Sequence, residues 1–155
     1  MKIKIVPKMN DTNEPFPQAN NIYLMLKFLD AKMNDKFIQN FQNINTIITE
    51  RQISYYNAAL KYLSLLDDNL MPTKLAQHIW SFEYNYVLVN IVILILNNNI
   101  FSNYYRDRNE VATTKEIMNN YNYSKVTANR RFNTIYKWIN WCDLIVKEES
   151  LKLFY

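Results

Sequence analysis

Apolar side chains recur along this chain at intervals of three and four residues, the spacing of one face of an α-helix. The stretch NNIYLMLKFLDA sets Ile22, Leu26 and Leu29 on one side, flanked by Tyr23 and Met25, behind Asn20 or Asn21 as the N-cap. NDKFIQNF predicts a second, short helix with Phe37, Ile38 and Phe41 turned inward. After NINTII, Thr49 with Gln52 three residues later forms a capping box and opens a third helix, TERQISYYNAALKYLSLL. Ile53, Tyr56, Leu60 and Leu63 make its inner side, and Arg51, Ser54, Tyr55, Ala58 and Tyr62 its outer side. Three helices with a tight connection before the third make a helix-turn-helix pattern.

The polar interruption LLDDNLM predicts a small hairpin or wing, and Pro72 with Thr73 opens the helix TKLAQHIWSFE. A long apolar helix spans residue 85 to about 97, and residues 101–105 lead into a second half where the architecture repeats with little residue identity. There, Thr113 and Glu116 in ATTKEIMNNY form a second capping box, with Ile117 and Met118 as the apolar face. NYS is the turn, Ser124 the next cap, and residues 125 to about 142 the third helix. The tail DLIVKEESLKLFY has two apolar runs around KEES, which predicts a closing β-hairpin. Residues 1–18 hold three of the four prolines and little periodicity, as expected of an extended arm. The predicted fold is mainly α. After the arm come a first winged-helix-like unit over 19–72, linking helices over 73–106, and a second winged-helix unit over 107–155 whose hairpin is the wing.

Composition narrows the classes. At 155 residues and 49% apolar content the chain is long enough to bury a core, as one domain or two small ones sharing it. Glycine is absent, which excludes glycine-rich phosphate loops. A single cysteine, Cys142, and an amino terminus without a signal-like apolar run predict a cytoplasmic protein. The most apolar run, YVLVNIVILIL, has eleven residues and is broken by Asn90, against the roughly 20 needed to cross a bilayer. It reads as a buried helix, and no membrane partner is expected. Asparagine, lysine, isoleucine and tyrosine are all abundant; this is read as compositional bias, so residues 97–99 carry no functional weight.

Charge points to a place. The formal net charge is +4, which permits a polyanionic partner without demanding one. Residues 1–83 carry nine basic and eight acidic side chains, whereas residues 84–155 carry nine and six. The excess gathers in 113–141, where Lys115, Lys125, Arg130, Arg131 and Lys137 face one acid, Glu116. On a helical wheel, Ala128, Phe132, Ile135, Ile139 and Cys142 fall within about 40° of one direction, the core side. Val126, Arg130, Asn133 and Lys137 gather opposite, with Thr127, Asn129 and Thr134 on the shoulders. A guanidinium fork matches the two acceptors of guanine, and an Asn amide matches the acceptor and donor of adenine. Lys125 and Ser124 suit phosphate oxygens at a helix start. Taken alone, such a face is an ordinary solvated one; as the third helix of a helix-turn-helix it is a candidate DNA-reading face.

Two segments also carry a resemblance. ITERQISYYNAALKYLSLL resembles the signature, RQ then YY then A then YLGL, of winged-helix units found beside or inside type II restriction endonucleases and in related prokaryotic DNA-binding regulators. TANRRFNTIYKWINWCDLI is similar to their second signature, an arginine pair before a Thr and two tryptophans, here Arg130, Arg131, Thr134, Trp138 and Trp141. The resemblance spans most of residues 20–146. It departs at Ser64, where YLGL has glycine, and around Thr73, where a further glycine is missing, both matters of turn geometry. It implies a tandem winged-helix DNA-recognition module with Arg51, Gln52 and Tyr55 on one recognition helix, Ser54 beside them, and Arg130, Arg131 and Asn133 on the other.

Other reactive side chains point elsewhere. His78 has no second histidine or cysteine near it in sequence, Cys142 falls on a core side, and no acid-plus-lysine grouping of a metal-dependent nuclease can be assembled. Neither catalysis nor a cofactor or metal is expected of this chain. The expected function is sequence-specific binding of double-stranded DNA, as a specificity component connected with restriction-modification or as a small transcriptional regulator. The alternative is a winged-helix interaction module that homodimerises or pairs with a nuclease or methyltransferase subunit through the apolar central helix, Trp138 and Trp141.

Overall fold

The computed structural model describes residues 1–9, 14–42, 44 and 48–155. Among these the elements run β1 (Lys2–Lys4), α1 (Ile22–Lys32), α2 (Ile38–Phe41), α3 (Glu50–Tyr62), α4 (Lys74–Trp80), α5 (Tyr84–Leu96), α6 (Asn99–Asp107), α7 (Glu110–Tyr121), α8 (Lys125–Glu148) and β2 (Lys152–Phe154). The fold is mainly helical with one small sheet. The chain forms two compact units, one of residues 14–87 and one in which the amino-terminal stretch joins residues 88–155.

In the unit of residues 14–87, α1 starts where Asn21 Oδ1 accepts the backbone N–H of Leu24 at 3.1 Å, and it buries Leu24, Met25, Leu26 and Leu29. Asp30, 1% exposed, organises the chain after α1. Its carboxylate accepts the backbone N–H of Phe37 at 3.0 and 3.1 Å and the indole N–H of Trp80 at 2.9 Å. Held there, the chain turns through Asn34 and Asp35 in left-handed conformation, so the second helix shrinks to one turn. Phe37 and Phe41 are buried as expected and pack on Tyr84 with ring centroids 5.5 and 5.7 Å apart, but Ile38 points outward, 49% exposed. Of the connection NINTII, residues 43 and 45–47 lie outside the described residues, as do 10–13 of the expected arm.

α3 opens with the capping box: Thr49 Oγ1 accepts from the N–H of Gln52 at 3.3 Å, and Gln52 Oε1 accepts from the N–H of Thr49 at 2.9 Å. Tyr56, Leu60 and Leu63 are buried; Ile53 is exposed. Beyond α3, Asp67 Oδ1 accepts from the N–H groups of Asn69 and Met71, and a single antiparallel bridge joins Leu66 to Pro72. Thr73 then caps α4.

The absence of glycine has a visible cost, because every left-handed position in the described residues falls on a side-chain-bearing residue. Asn34, Asp35 and Asn122 tolerate it; Leu70 and Arg108 bear strain of order 1 kcal/mol. Ser64, where the resembled signature has glycine, is one of these positions, at φ 61°. Arg108 is held by a two-pronged bond to Asp143, at 2.7 and 2.9 Å.

In the other unit α6, α7 and α8 pack on one another. The closing hairpin expected of residues 143–155 is replaced. Ile145 continues the buried stripe of α8, the helix runs on to Glu148, and Ser150 turns the chain at φ 50°. β2 then pairs in parallel with β1, from the stretch expected to be an extended arm. Beyond β1 the N–H of Val6 donates to Asn97 Oδ1 at 3.2 Å, and Lys8 bridges to Asn98. Residues 97–99, discounted as compositional bias, thus anchor the amino-terminal stretch.

Candidate nucleic-acid interface

α7 and α8 are joined by the short turn expected around NYS. Asn122, in left-handed conformation, ends α7, and Ser124 caps α8, its Oγ accepting the N–H of Thr127 at 3.2 Å and donating to Thr127 Oγ1 at 3.1 Å. The expected Thr113–Glu116 capping box is displaced: Asn109 caps α7 instead, accepting the N–H of Ala112 at 3.0 Å. Thr113 lies one turn inside, donating to the carbonyl of Asn109. Glu116 receives the side-chain amide of Asn103.

α8 divides sharply into two faces. Ala128, Phe132, Ile135, Ile139 and Cys142 are buried as the wheel requires, and so are Thr134, Trp138, Trp141 and Ile145. Trp138 stacks on Phe101, and Phe132 meets Tyr104 edge-on, both at 5.1 Å. Burial pushes the Cys142 thiol well above its ordinary range, which keeps it neutral. The covered arc spans about 180° of the wheel because α6 and α7 both pack against α8. That width corrects two expectations. Thr134, placed on the reading face, is 1% exposed, and the two tryptophans nominated for a partner surface are buried.

Lys125, Val126, Asn129, Arg130, Asn133, Tyr136 and Lys137 remain on the open side. The side chains of Lys125, Asn129, Arg130, Asn133 and Lys137 make no hydrogen bond or ion pair with any described residue. Arg131, nominated for base reading, is half-buried on the covered side of the wheel, between Trp138 and Cys142, its guanidinium 5.6 Å from the centroid of Tyr123 and its Nε buried without a hydrogen-bond acceptor. Beside the open face lies a recess of about 320 Å³ lined by Glu110, Asn129, Phe132, Asn133 and Tyr136. Glu110 and Tyr136 could not be picked out from the sequence: Glu110 comes from another helix, and Tyr136, between Lys125 and Asn129 on the wheel, carries neither charge nor amide.

The α3 residues are placed differently. Gln52 is occupied by the capping box, and Arg51 donates from Nε to the Tyr55 hydroxyl at 2.7 Å while lying over its ring. Ser54 is exposed beside a recess of about 430 Å³ shared with Glu14, Glu50, Asn57 and Lys61. Lys61 is paired with Glu14 and Asp68 at 3.7 and 3.3 Å. His78 is exposed, edge-on to Phe82. Among the described residues no three His, Cys, Asp or Glu side chains gather into a metal-binding group, and no helix is long and apolar enough to cross a membrane.

A family model described as "Domain of unknown function (DUF7226)" matches residues 21–147. The chain belongs to this family. The DUF7226 match runs from the N-cap of α1 to the last turn of α8 and so contains both helix groups, while β1 and β2 lie outside it. No curated protein and no solved structure matches the chain.

Proposed function

We propose that this DUF7226 chain binds double-stranded DNA through the open face of α8 and reads sequence with it in the major groove. One observation carries the proposal. Five basic or amide side chains on one side of a long, firmly packed helix have no partner among the described residues, whereas Arg51, Lys61 and Arg108 do. Exposed arginine, lysine and asparagine with no internal role are the groups that phosphate and base edges engage. Arg130 and Asn133 are the base-reading candidates, for guanine and adenine. Lys125, Lys137 and the capped start of α8 suit phosphates. Glu110, unsuited to a phosphate, suits the exocyclic amine of cytosine. In this reading α6, α7 and α8 are a helix-turn-helix with α8 as recognition helix, in line with the winged-helix resemblance. The biological setting is then a restriction-modification specificity component or a transcriptional regulator.

Selection of bound duplexes from a random pool at two salt concentrations tests this. Enrichment of one motif at both salts is the expected result, and recovery of unenriched DNA that vanishes at the higher salt defeats sequence reading. A second reading has its own observation: Val126 (70% exposed), Tyr136 and Leu144 expose apolar surface on the same helix. In that case α8 docks a protein partner, a second copy or a nuclease or methyltransferase subunit, through salt-insensitive association with no shift of duplex DNA.

A further inference from the structure

The parallel register of β1 and β2 sets Lys2 opposite Lys152, Ile3 opposite Leu153 and Lys4 opposite Phe154. Side chains alternate across a strand, and directly paired residues share a side. Ile3 is therefore turned into the core, and Lys2, Lys4, Lys152 and Phe154 share the outer side, where all four are exposed. Facing stems stand about 5 Å apart, those along one strand about 7 Å and diagonal ones about 7 to 8 Å. None of the three ammonium groups makes an ion pair or hydrogen bond with a described residue, and Glu148 and Glu149, the acids nearest to Lys152 in sequence, pair with none of them. Lys2 facing Lys152 works against the sheet, since like charges directly opposite repel. Lysines do protect exposed sheet edges from adding strands. That role requires neither a facing pair on one side nor an exposed phenylalanine beside it.

We infer that this sheet face is a second contact for the phosphate backbone of duplex DNA, in the same unit as α8; the inference rests on the DNA-binding reading above. Three point charges fixed on short strands neutralise neighbouring phosphates, and Phe154 lies against a sugar. Such contacts set position and register without reading bases. β2 comes after the carboxyl end of α8, a helix about 36 Å long at 1.5 Å per residue. The sheet lysines and the basic first half of α8 therefore serve opposite ends of the same helix.

The test measures duplex affinity across a salt series for the full chain, for the triple variant Lys2→Gln, Lys4→Gln, Lys152→Gln, and for Arg130→Ala. The triple variant is expected to weaken binding equally on preferred and unrelated duplexes and to flatten the slope of log K against log salt by about 2 to 3, at about 0.9 per lost phosphate contact. Replacement of the same three lysines by arginine keeps the parent slope. Should the triple variant fail to fold, Lys152→Gln alone flattens the slope by about 1. A parent slope in the Gln variants, with Arg130→Ala still impaired, overturns the sheet contact and leaves α8 standing. A flattened slope with Arg130→Ala unaffected supports the sheet contact and removes base reading by Arg130. A parent chain that binds anionic phosphatidylserine vesicles but no duplex at low salt overturns both.

Discussion

α3 and α8 are each the third helix of a three-helix stretch, each opened by a hydroxyl cap, and each carries arginine, an amide and a tyrosine on its outer side. Their polar groups nevertheless have different fates. On α3 the amide closes the capping box, the arginine grips its own tyrosine, and the lysine in the last turn is neutralised by Glu14 and Asp68. On α8 the corresponding groups reach solvent with no partner among the described residues. Residue types alone therefore do not make a binding face: the free energy a side chain can offer a ligand is what remains after its internal contacts, and α8 retains far more of it. The two recesses agree. The one beside α3 holds two carboxylates and a paired lysine, an environment that repels phosphate, while the one beside α8 holds amides, aromatics and one carboxylate.

The comparison breaks most readily on the inner side of α8. Trp138→Ala removes a fully buried indole stacked on Phe101 and should cost about 3–5 kcal/mol of stability in urea unfolding, with DNA affinity lost only as the fold is lost. The outer side should show the reverse. Arg130→Ala should leave the unfolding midpoint nearly unchanged while weakening specific duplex binding by about 1–3 kcal/mol and relaxing base preference. Arg51→Ala on α3 should change binding by less than about 0.5 kcal/mol, and equal losses from Arg51 and Arg130 would erase the distinction between the helices. Caps sharpen the contrast further. Thr49→Ala and Ser124→Ala should each cost about 1 kcal/mol of stability, but only Ser124→Ala should also weaken duplex binding, because it frays the start of α8. A further effect is alkaline. Burial chiefly, then Tyr23 and Asp30, push the Tyr84 phenol up to about 12. An unfolded chain releases that proton near pH 10, so stability falls as pH rises from 10 toward 12. Tyr84→Phe should flatten that stretch of the pH–stability curve.

Much of the helical order was legible because its determinants are local. The Thr49–Gln52 box, the Asn21, Thr73 and Ser124 caps and the core stripe of α8 depend on residues three or four apart, and the chain places them as read. Local signals also misled where two were available. Thr113 lost the cap to Asn109, and the alternating tail after residue 142 continued as helix because Ile145 had a core to enter. Of the candidate site, the open stripe of Lys125, Asn129, Arg130, Asn133 and Lys137 could be read from periodicity. Glu110 and the lysines of β1 and β2 could not, since they arrive from other elements.

By itself the sequence determined most of the helical segments, the caps at Asn21, Thr49, Thr73 and Ser124 and the apolar stripe of α8, because those depend on the helical repeat and on side chains reaching their own backbone. Tertiary structure alone decided how wide the covered arc of α8 is, which cations are left without an internal partner, and that the two ends of the chain meet in one sheet. Those outcomes rest on contacts between residues far apart in sequence, whose geometry no local periodicity encodes.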